Sequence, residues 1–271
     1  MVVREIDHPE GPHQLRVGLR RLRSVFSVYA SVLNSPEAAR IADEAKWLGQ
    51  EVGRLRDTDV LANDIVRREA GYHPHELELS ALADALSRQA LEMRKPLRDC
   101  LVGARTQKLL IDLARFVETG GWLNREDTDQ PERLIAPIGA LAEKALRKRW
   151  KKVSKRAHGF EALNVNERHE LRKELKKLRY GAEFFASLYP AKRVFPFIKR
   201  LQKLQAAFGD LNDAAMAKAL LTGAETSLAE APQMQRAAGW VIGASQVRAE
   251  SSWAGVKLLW QKLEHTRAFW R

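Results

Sequence analysis

Apolar residues recur at every third or fourth position along almost the whole chain, which is the spacing of amphipathic helices. Strand-like alternation is scarce, and glycine and proline fall mostly between the periodic segments. The pattern therefore predicts an all-α fold. We expect residue 166, an asparagine, to cap the helix that starts at residue 167. The predicted helices cover residues 12–33, 37–70 with a bend or a continuation at 56–59, 76–104, 106–119, 136–158, 167–189, 195–208, 212–228 and 232–267.

Two segments of the chain share one motif. Residues 13–23 read HQLRVGLRRLR and residues 169–179 read HELRKELKKLR, so every match is shifted by 156 positions. We call these segments the first and the second motif. Another pair has the same shift, since residues 53–57 read GRLRD and residues 209–213 read GDLND. The constant shift predicts an internal duplication, with one helical bundle in residues 1–131 and another in residues 132–271.

Each motif places apolar and cationic residues on neighbouring faces of one helix. At about 100° per residue, Leu15, Leu19 and Leu22 fall on one narrow apolar stripe. Arg21 and Lys177 point further round their helices. The first cationic stripe lies beside the apolar one and consists of His13, Arg16, Arg20 and Arg23. The second cationic stripe, on the second motif, consists of His169, Arg172, Lys176 and Arg179.

The first cationic stripe contains no acid. On an ordinary solvated helix face, acids lie three or four residues from cations, and each pair contributes about 0.2–0.5 kcal/mol. Like charges at that spacing cost a similar amount unless an anion neutralises them. The stripes are therefore typical of anion binding. A phosphate near His13 or His169 would favour the protonated imidazole, which can donate to a phosphate oxygen.

A third basic segment precedes the second motif. Residues 144–156 contain eight cations and no acid, and eight cations cannot all share one helix face. From this segment we add Arg149 and Lys152 to the predicted anion-binding residues.

Three polar residues in the second repeated pair are predicted to support the cations. Asp57 and Asp213 are expected to cap a helix or to orient an arginine of the neighbouring motif helix, with Asn212 beside Asp213. Catalytic use or Mg²⁺ binding, with Asp59 next to Asp57, is the weaker alternative because two carboxylates alone are a poor metal signal. We predict no metal, no cofactor and no catalytic residue.

Composition narrows the class of ligand. The formal net charge of +12 attracts polyanions such as nucleic acid, an acidic membrane surface or polyphosphate. Cys100 is the only cysteine, which excludes an intrachain disulfide and a cysteine metal cluster and fits a reducing cytoplasm. No run of about 18 apolar residues and no secretory signal is visible, so we expect no membrane association.

Together these segments resemble the CHAD family, the conserved histidine α-helical domain. The resemblance covers nearly the whole chain. It is carried by both motifs, by Tyr180 after the second motif, by LRDTDVL at residues 55–61 and by FGDLND at residues 208–213.

The resemblance implies two antiparallel helical bundles related by a pseudo-two-fold axis. It also implies a basic surface or pore between them that binds inorganic polyphosphate, and for some members a location at polyphosphate granules. Carried over by position, the two cationic stripes would line that site, with Arg21 and Lys177 matching the motif as well. The second half has a helix before its motif, whereas residues 1–11 are too short for one. Two alternatives stay open: the chain is a fragment of a longer protein, or its first bundle is built differently. A missing helix would expose apolar surface near Val17, Val25 or Val28, and it leaves open a CYTH-type domain upstream in a longer parent chain.

Three hypotheses for function remain open. The first is a polyphosphate-binding protein without catalytic activity, which could also take other polyanions. The second is a nucleic-acid-binding helical module, against which the lack of a groove-reading motif argues weakly. The third is an enzyme that turns over polyphosphate or nucleoside triphosphates, or an accessory domain of such an enzyme, although no P-loop is present. In the enzyme, His13 and His169 would act as acids, and Asp57 and Asp213 would hold a metal.

Overall fold

The computed structural model describes residues 8–223 and 232–270, and in these ranges the chain is helical without β-strands. The all-α prediction is confirmed. Two 3₁₀ turns, Phe160–Ala162 and Ala186–Leu188, and one π-helical segment, Leu61–Val66, connect or interrupt the α-helices. The α-helices are α1 (Glu10–Val28), α2 (Pro36–Val60), α3 (Arg67–Tyr72), α4 (Leu77–Val102), α5 (Ala104–Glu118), α6 (Gln130–Ile135), α7 (Ile138–Arg156), α8 (Val165–Phe184), α9 (Ala191–Thr222) and α10 (Pro232–Glu264).

The start of α8 differs from the sequence prediction. The cap is Asn164 and not Asn166, because Asn164 stands three residues before Glu167 and the two form a reciprocal capping box. The side chain of Asn164 accepts from the backbone N–H of Glu167 at 3.0 Å, and the backbone N–H of Asn164 donates to Glu167 Oε2 at 2.8 Å. Asn166 lies inside the helix, where it cannot cap.

Helix α9 is continuous where the sequence predicted a break. Gly209 was expected to separate two helices, but it lies within Ala191–Thr222. Leu204 and Phe208, just before the glycine, are buried. Packing of this face outweighs the cost of about 1 kcal/mol for a glycine in a helix interior. The remainder of the predicted helix, beyond residue 223, lies outside the described residues.

The chain divides into two compact units. Unit 1 contains the residues up to Arg20, Glu44–Asp112 and Asp210–Ser251, and unit 2 contains Arg21–Asp43, Leu113–Gly209 and the residues from Ser252. These units combine distant chain segments, whereas the halves predicted from the duplication meet near residue 131. The two divisions rest on different criteria, contact in one case and repetition in the other.

The core of unit 1 forms where the π-helical segment packs on α4. Leu61 and Ile65 from that segment pack with Leu82 and Leu86 of α4 and with Val241 of α10. All five side chains are buried, and this cluster holds the end of α2 in place.

In unit 2 the central contact is between α7 and α8. Leu146 of α7 and Leu171, Leu175 and Leu178 of α8 are fully buried. At Gly181 of α8 an added Cβ would lie 3.4 Å from Leu146 Cδ2, so the glycine allows the helices to approach closely.

An aromatic cluster closes the same core. Trp150 of α7 stacks on Trp260 of α10 with ring centroids 5.8 Å apart, and Phe197 and Trp270 meet it edge-on. The apolar surface expected to be exposed on α1 does not include Val28, which is buried, while Val17 and Val25 are half-buried.

Candidate functional site

Helix α1 carries the first motif, and burial separates its two stripes only at Leu19 and Arg23. Leu19 is buried and Leu15 and Leu22 are half-buried. Of the first cationic stripe, His13, Arg16 and Arg20 are half-buried and belong to unit 1, whereas Arg23 is exposed and belongs to unit 2.

Arg16 is held against helix α2. Its Nη1 donates to Asp57 Oδ1 at 2.5 Å and to the Gly53 carbonyl at 3.3 Å. A Cβ added at Gly53 would lie 3.6 Å from Arg16 Cζ, so the guanidinium rests directly on the glycine backbone. One turn earlier on α2, a Cβ added at Gly49 would lie 4.0 Å from Leu19 Cβ, so Leu19 packs beside that glycine. The side chain of Arg16 is still 36% exposed, which leaves part of the guanidinium accessible to a ligand.

The residue two positions after Asp57 has a different role. Asp59 is buried and accepts from Nη2 and Nη1 of Arg94 at 3.1 and 3.5 Å. Burial raises the pKa of Asp59, and the charge of Arg94 opposes that rise. Asp59 thus forms an internal ion pair. Among the described residues, no group of three or more His, Cys, Asp or Glu side chains could hold a metal ion.

Helix α8 carries the second motif. Its leucines are fully buried, while His169 is exposed and Arg172, Lys176 and Arg179 are half-buried. The pKa of His169 is lowered first by partial burial of the ring and then by the charges of Lys173 and Arg172, with Lys176 adding to them. Glu170 opposes this and does not cancel it. The neighbourhood of His169 is therefore electrically positive, as an anion site requires.

Carboxylates neutralise the edge of α8 that faces α7. Lys177 Nζ donates to Glu174 Oε1 at 2.6 Å, and Arg149 Nη1 lies 3.9 Å from Glu174 Oε2. Arg149 also donates to the Ser27 carbonyl at 2.9 Å. At 8% exposure it is buried, and burial lowers its pKa. Arg149 and Lys177 therefore make internal contacts. Lys152, one turn after Arg149, is exposed.

Within unit 2, residues of both motifs reach one pair of aromatic rings on α8. Tyr180 and Phe184 lie with their ring centroids 6.5 Å apart. The guanidinium of Arg179 lies 5.2 Å from the centre of the Tyr180 ring, and that of Arg21 lies 5.9 Å from the centre of the Phe184 ring. Arg179 is also 3.6 Å from Glu183. The rings orient these two arginines through cation–π contacts.

The predicted supporting residues lie inside helices. Asp57 is within α2, and Asn212 and Asp213 are half-buried within α9, so neither aspartate caps a helix. The reason is the same in both halves, because the helix continues through the repeated segment GxLxD. This segment is GRLRD at residues 53–57 and GDLND at residues 209–213. Asp57 is in contact with Arg16, which is the orienting geometry.

Sequence reasoning missed Glu174 and Ser27. Glu174 carried a signal, because it is an acid inside an otherwise cationic motif. Ser27 carried none, since only tertiary packing brings it to Arg149.

No helix of the described part of the chain is both long and apolar enough to cross a membrane. No curated protein matches the sequence significantly. Among solved structures, the CHAD domain from the plant Ricinus communis is 27% identical with a TM-score of 0.81, and the match covers 98% of this chain and 86% of that one. PptA from Streptomyces chartreusis is 14% identical with a TM-score of 0.64, and the match covers 94% of this chain and 90% of that one. At that identity it supports the fold alone.

The family model described as the CHAD domain matches residues 1–222. This match spans both motifs and both GxLxD segments. The chain therefore belongs to the CHAD-domain family.

Proposed function

We propose that this protein binds inorganic polyphosphate through the cationic stripes of α1 and α8, as membership of the CHAD family implies. The observation that carries the proposal is the setting of His169, an exposed imidazole whose pKa is lowered first by partial burial of the ring and then by three neighbouring cations, which one acid does not cancel. A positive surface of this kind is stabilised when an anion binds. Arg16, fixed by Asp57 and still partly exposed, provides a preplaced donor on α1.

The contacts suggest two roles for these residues, ligand contact and positioning of the helices. The accessible stripe residues would meet phosphate oxygens, and arginine can do so with two parallel hydrogen bonds. Arg149 and Lys177, which contact Glu174, would instead position α7 and α8. The residues that we propose as ligand contacts are His13, Arg16, Arg20, Arg21, Arg23, His169, Arg172, Lys176, Arg179 and Lys152.

We further propose that binding is the whole activity and that the protein is not an enzyme. We expect it in the cytoplasm and, where polyphosphate accumulates, at polyphosphate granules. If the protein were instead a hydrolase, Mg²⁺-dependent phosphate release would be found in the wild type and lost in His13→Ala. We expect no release with any divalent metal.

The mechanism predicts a strong salt dependence. If several phosphates are bound at once, counterions are released, and raising the salt from about 50 to 200 mM should weaken binding by at least about tenfold, by analogy with nucleic acids. Calorimetric titration at several salt concentrations measures this. A flat response would show that the stripes do not act through their charge.

Competition distinguishes polyphosphate from nucleic acid. Polyphosphate should displace a fluorescent single-stranded RNA at far lower phosphate concentration than the RNA needs to displace polyphosphate. The reverse order would identify the protein as a nucleic-acid-binding module.

A further inference from the structure

Helix α7 carries a second row of cations that the motifs do not include. Four lysines recur at the spacing i, i+4, i+7 and i+11, which places them within about 60° of one another on the helix. They span about 16 Å along the axis at 1.5 Å per residue. We call them the lysine stripe; its members, all exposed, are Lys144, Lys148, Lys151 and Lys155.

The lysine stripe lies opposite the face by which α7 joins the core. That inner face consists of Ala142, Leu146, Arg149 and Val153, all buried. The centre of the stripe is about 180° away from it at 100° per residue. The four ammonium groups therefore stand on the outermost surface of the helix.

No carboxylate of the described residues lies within 4.0 Å of a stripe lysine. The acids in the neighbourhood are engaged elsewhere, since Glu143 binds Arg147 and Glu161 accepts from Lys257 at 2.6 Å. Other lysines of the chain do have acidic partners, for example Lys108 with Asp112 at 3.0 Å. Repulsion between like charges along the stripe is thus left uncompensated within the described chain.

The lysine stripe is separate from the second cationic stripe. The edge of α7 that meets α8 carries Arg149 and Arg156, which lie 3.9 Å from Glu174 and Glu170. Lys173 donates to Glu170 at 2.8 Å on the same edge. By helical geometry the second cationic stripe lies on the flank of α8 that faces away from this edge. A belt of neutralised pairs therefore lies between the two positive surfaces.

The chemistry of the lysine stripe selects a flexible, highly charged polymer. Membrane insertion would require an exposed apolar face beside the cations, but the apolar face of α7 is buried in the core. Base stacking would require an accessible aromatic ring, but Trp150 is stacked on Trp260. What remains is a row of hydrated point charges, which suits phosphates without bases.

We infer that the lysine stripe is a second contact surface for the same polyphosphate chain, reached only by chains long enough to extend from the motif helices. The inference rests on the proposed function. A chain held at one surface has a high effective concentration at the other, so affinity should rise with chain length more steeply than one surface allows. The lysine stripe would thus make the protein selective for long polyphosphate.

The test compares two variants that each lose four lysine charges. In the stripe variant, Lys144, Lys148, Lys151 and Lys155 are changed to Ala. In the control variant the changes are at four exposed lysines on four different helices, Lys46, Lys95, Lys218 and Lys262. All eight positions are on the surface, and thermal unfolding followed by circular dichroism checks that both variants fold.

Affinity is measured for tripolyphosphate and for polyphosphate of about 100 units, the second being long enough to engage two surfaces. We expect the stripe variant to keep its tripolyphosphate affinity within about twofold and to lose at least about tenfold for the long chain, whereas the control loses less than about threefold for either. Equal losses in the two variants for the long chain would overturn the inference. Failure of the wild type to bind either polymer would instead overturn the proposed function. The stripe variant is also taken through the competition assay with fluorescent RNA; if it lost RNA binding and kept long-chain polyphosphate binding, the ligand assignment would be wrong.

Discussion

Nη1 of Arg16 is shared between the carboxylate of Asp57 and the backbone carbonyl of Gly53, so one nitrogen of the first motif is fixed by helix α2. The Arg16 side chain as a whole remains 36% exposed. An arginine that is already held in place loses less conformational freedom when a ligand binds. Asp57 is therefore expected to act on a ligand through Arg16.

A double-mutant cycle tests this relationship. Asp57→Asn should lower polyphosphate affinity by about threefold, even though it removes a negative charge, because Arg16 loses its orientation. In an Arg16→Ala background the same change should have no effect or should raise affinity. Additive effects in calorimetric titrations would show that Asp57 does not work through Arg16. The half-exposed pair should contribute only about 0–1 kcal/mol to stability.

His169 should make binding depend on pH. Its pKa is lowered in the free protein by burial and by neighbouring cations, and a bound polyanion should raise it. At a pH between the free and the bound pKa, binding takes up a proton, so affinity should fall as the pH rises through this window. Below the free pKa and above the bound pKa, the histidine should contribute no pH dependence.

NMR of the imidazole protons, with and without polyphosphate, measures both pKa values of His169 directly. Affinity measured from about pH 5 to pH 8 should then follow the shift. His169→Gln, which keeps a hydrogen-bonding side chain, should flatten that part of the profile. A His169 pKa that does not move on binding would place the ligand elsewhere.

Arg149 and Lys152 are one turn apart on α7 and should respond in opposite ways. Arg149→Ala removes a buried partner of Glu174 and Ser27, and we expect a loss of about 3 kcal/mol in the free energy of unfolding with little change in binding by the folded protein. Lys152→Ala should leave stability within about 0.5 kcal/mol and lower affinity modestly. Urea unfolding and titration of both variants separate the two roles. Equal stability of the two variants would contradict the structural role of Arg149.

The buried pair of Asp59 and Arg94 should stabilise unit 1 only as a pair. Arg94→Met leaves a buried carboxylate and should cost about 3–5 kcal/mol in the free energy of unfolding, whereas a joint change of Arg94 to Met and Asp59 to Leu should recover most of it.

The same pair should make stability depend on pH. Because the folded pKa of Asp59 is raised above its ordinary value, the folded state binds more protons, and stability from this group should increase as the pH falls through the folded pKa. Denaturation of Arg94→Met at about pH 7 and pH 5 measures this. A single variant less stable at the lower pH would contradict it.

The helices could be predicted from the sequence because the apolar period is strong, and the leucines of the second motif are buried as expected. The interior of α9 could not, because a glycine and a GxLxD segment look like a break until Phe208 is known to be buried. The cap at Asn164 was within reach, since Glu167 completes the capping box.

The candidate site shows a similar limit. Helical angles separate the two cationic stripes from Lys177, whose amine binds Glu174. On α7 they place Arg149 on the apolar face with Leu146 and Val153, but they do not identify its partners, because these depend on where α8 and the end of α1 pack. Arg149 is buried there, beside Ser27, while the lysine stripe on the opposite side of the same helix is exposed.

The most direct test of the central claim is titration of long-chain polyphosphate into the wild type and into a variant with His13, Arg16, His169 and Arg172 changed to Ala. Two changes fall in each motif, and the Lys46, Lys95, Lys218 and Lys262 control variant matches the number of side chains changed and removes at least as much positive charge. We predict that the motif variant loses at least about 30-fold in affinity at about 100 mM salt and that the control loses less than about threefold. A folded motif variant that binds as tightly as the control would show that the paired motifs are not where the polymer is held.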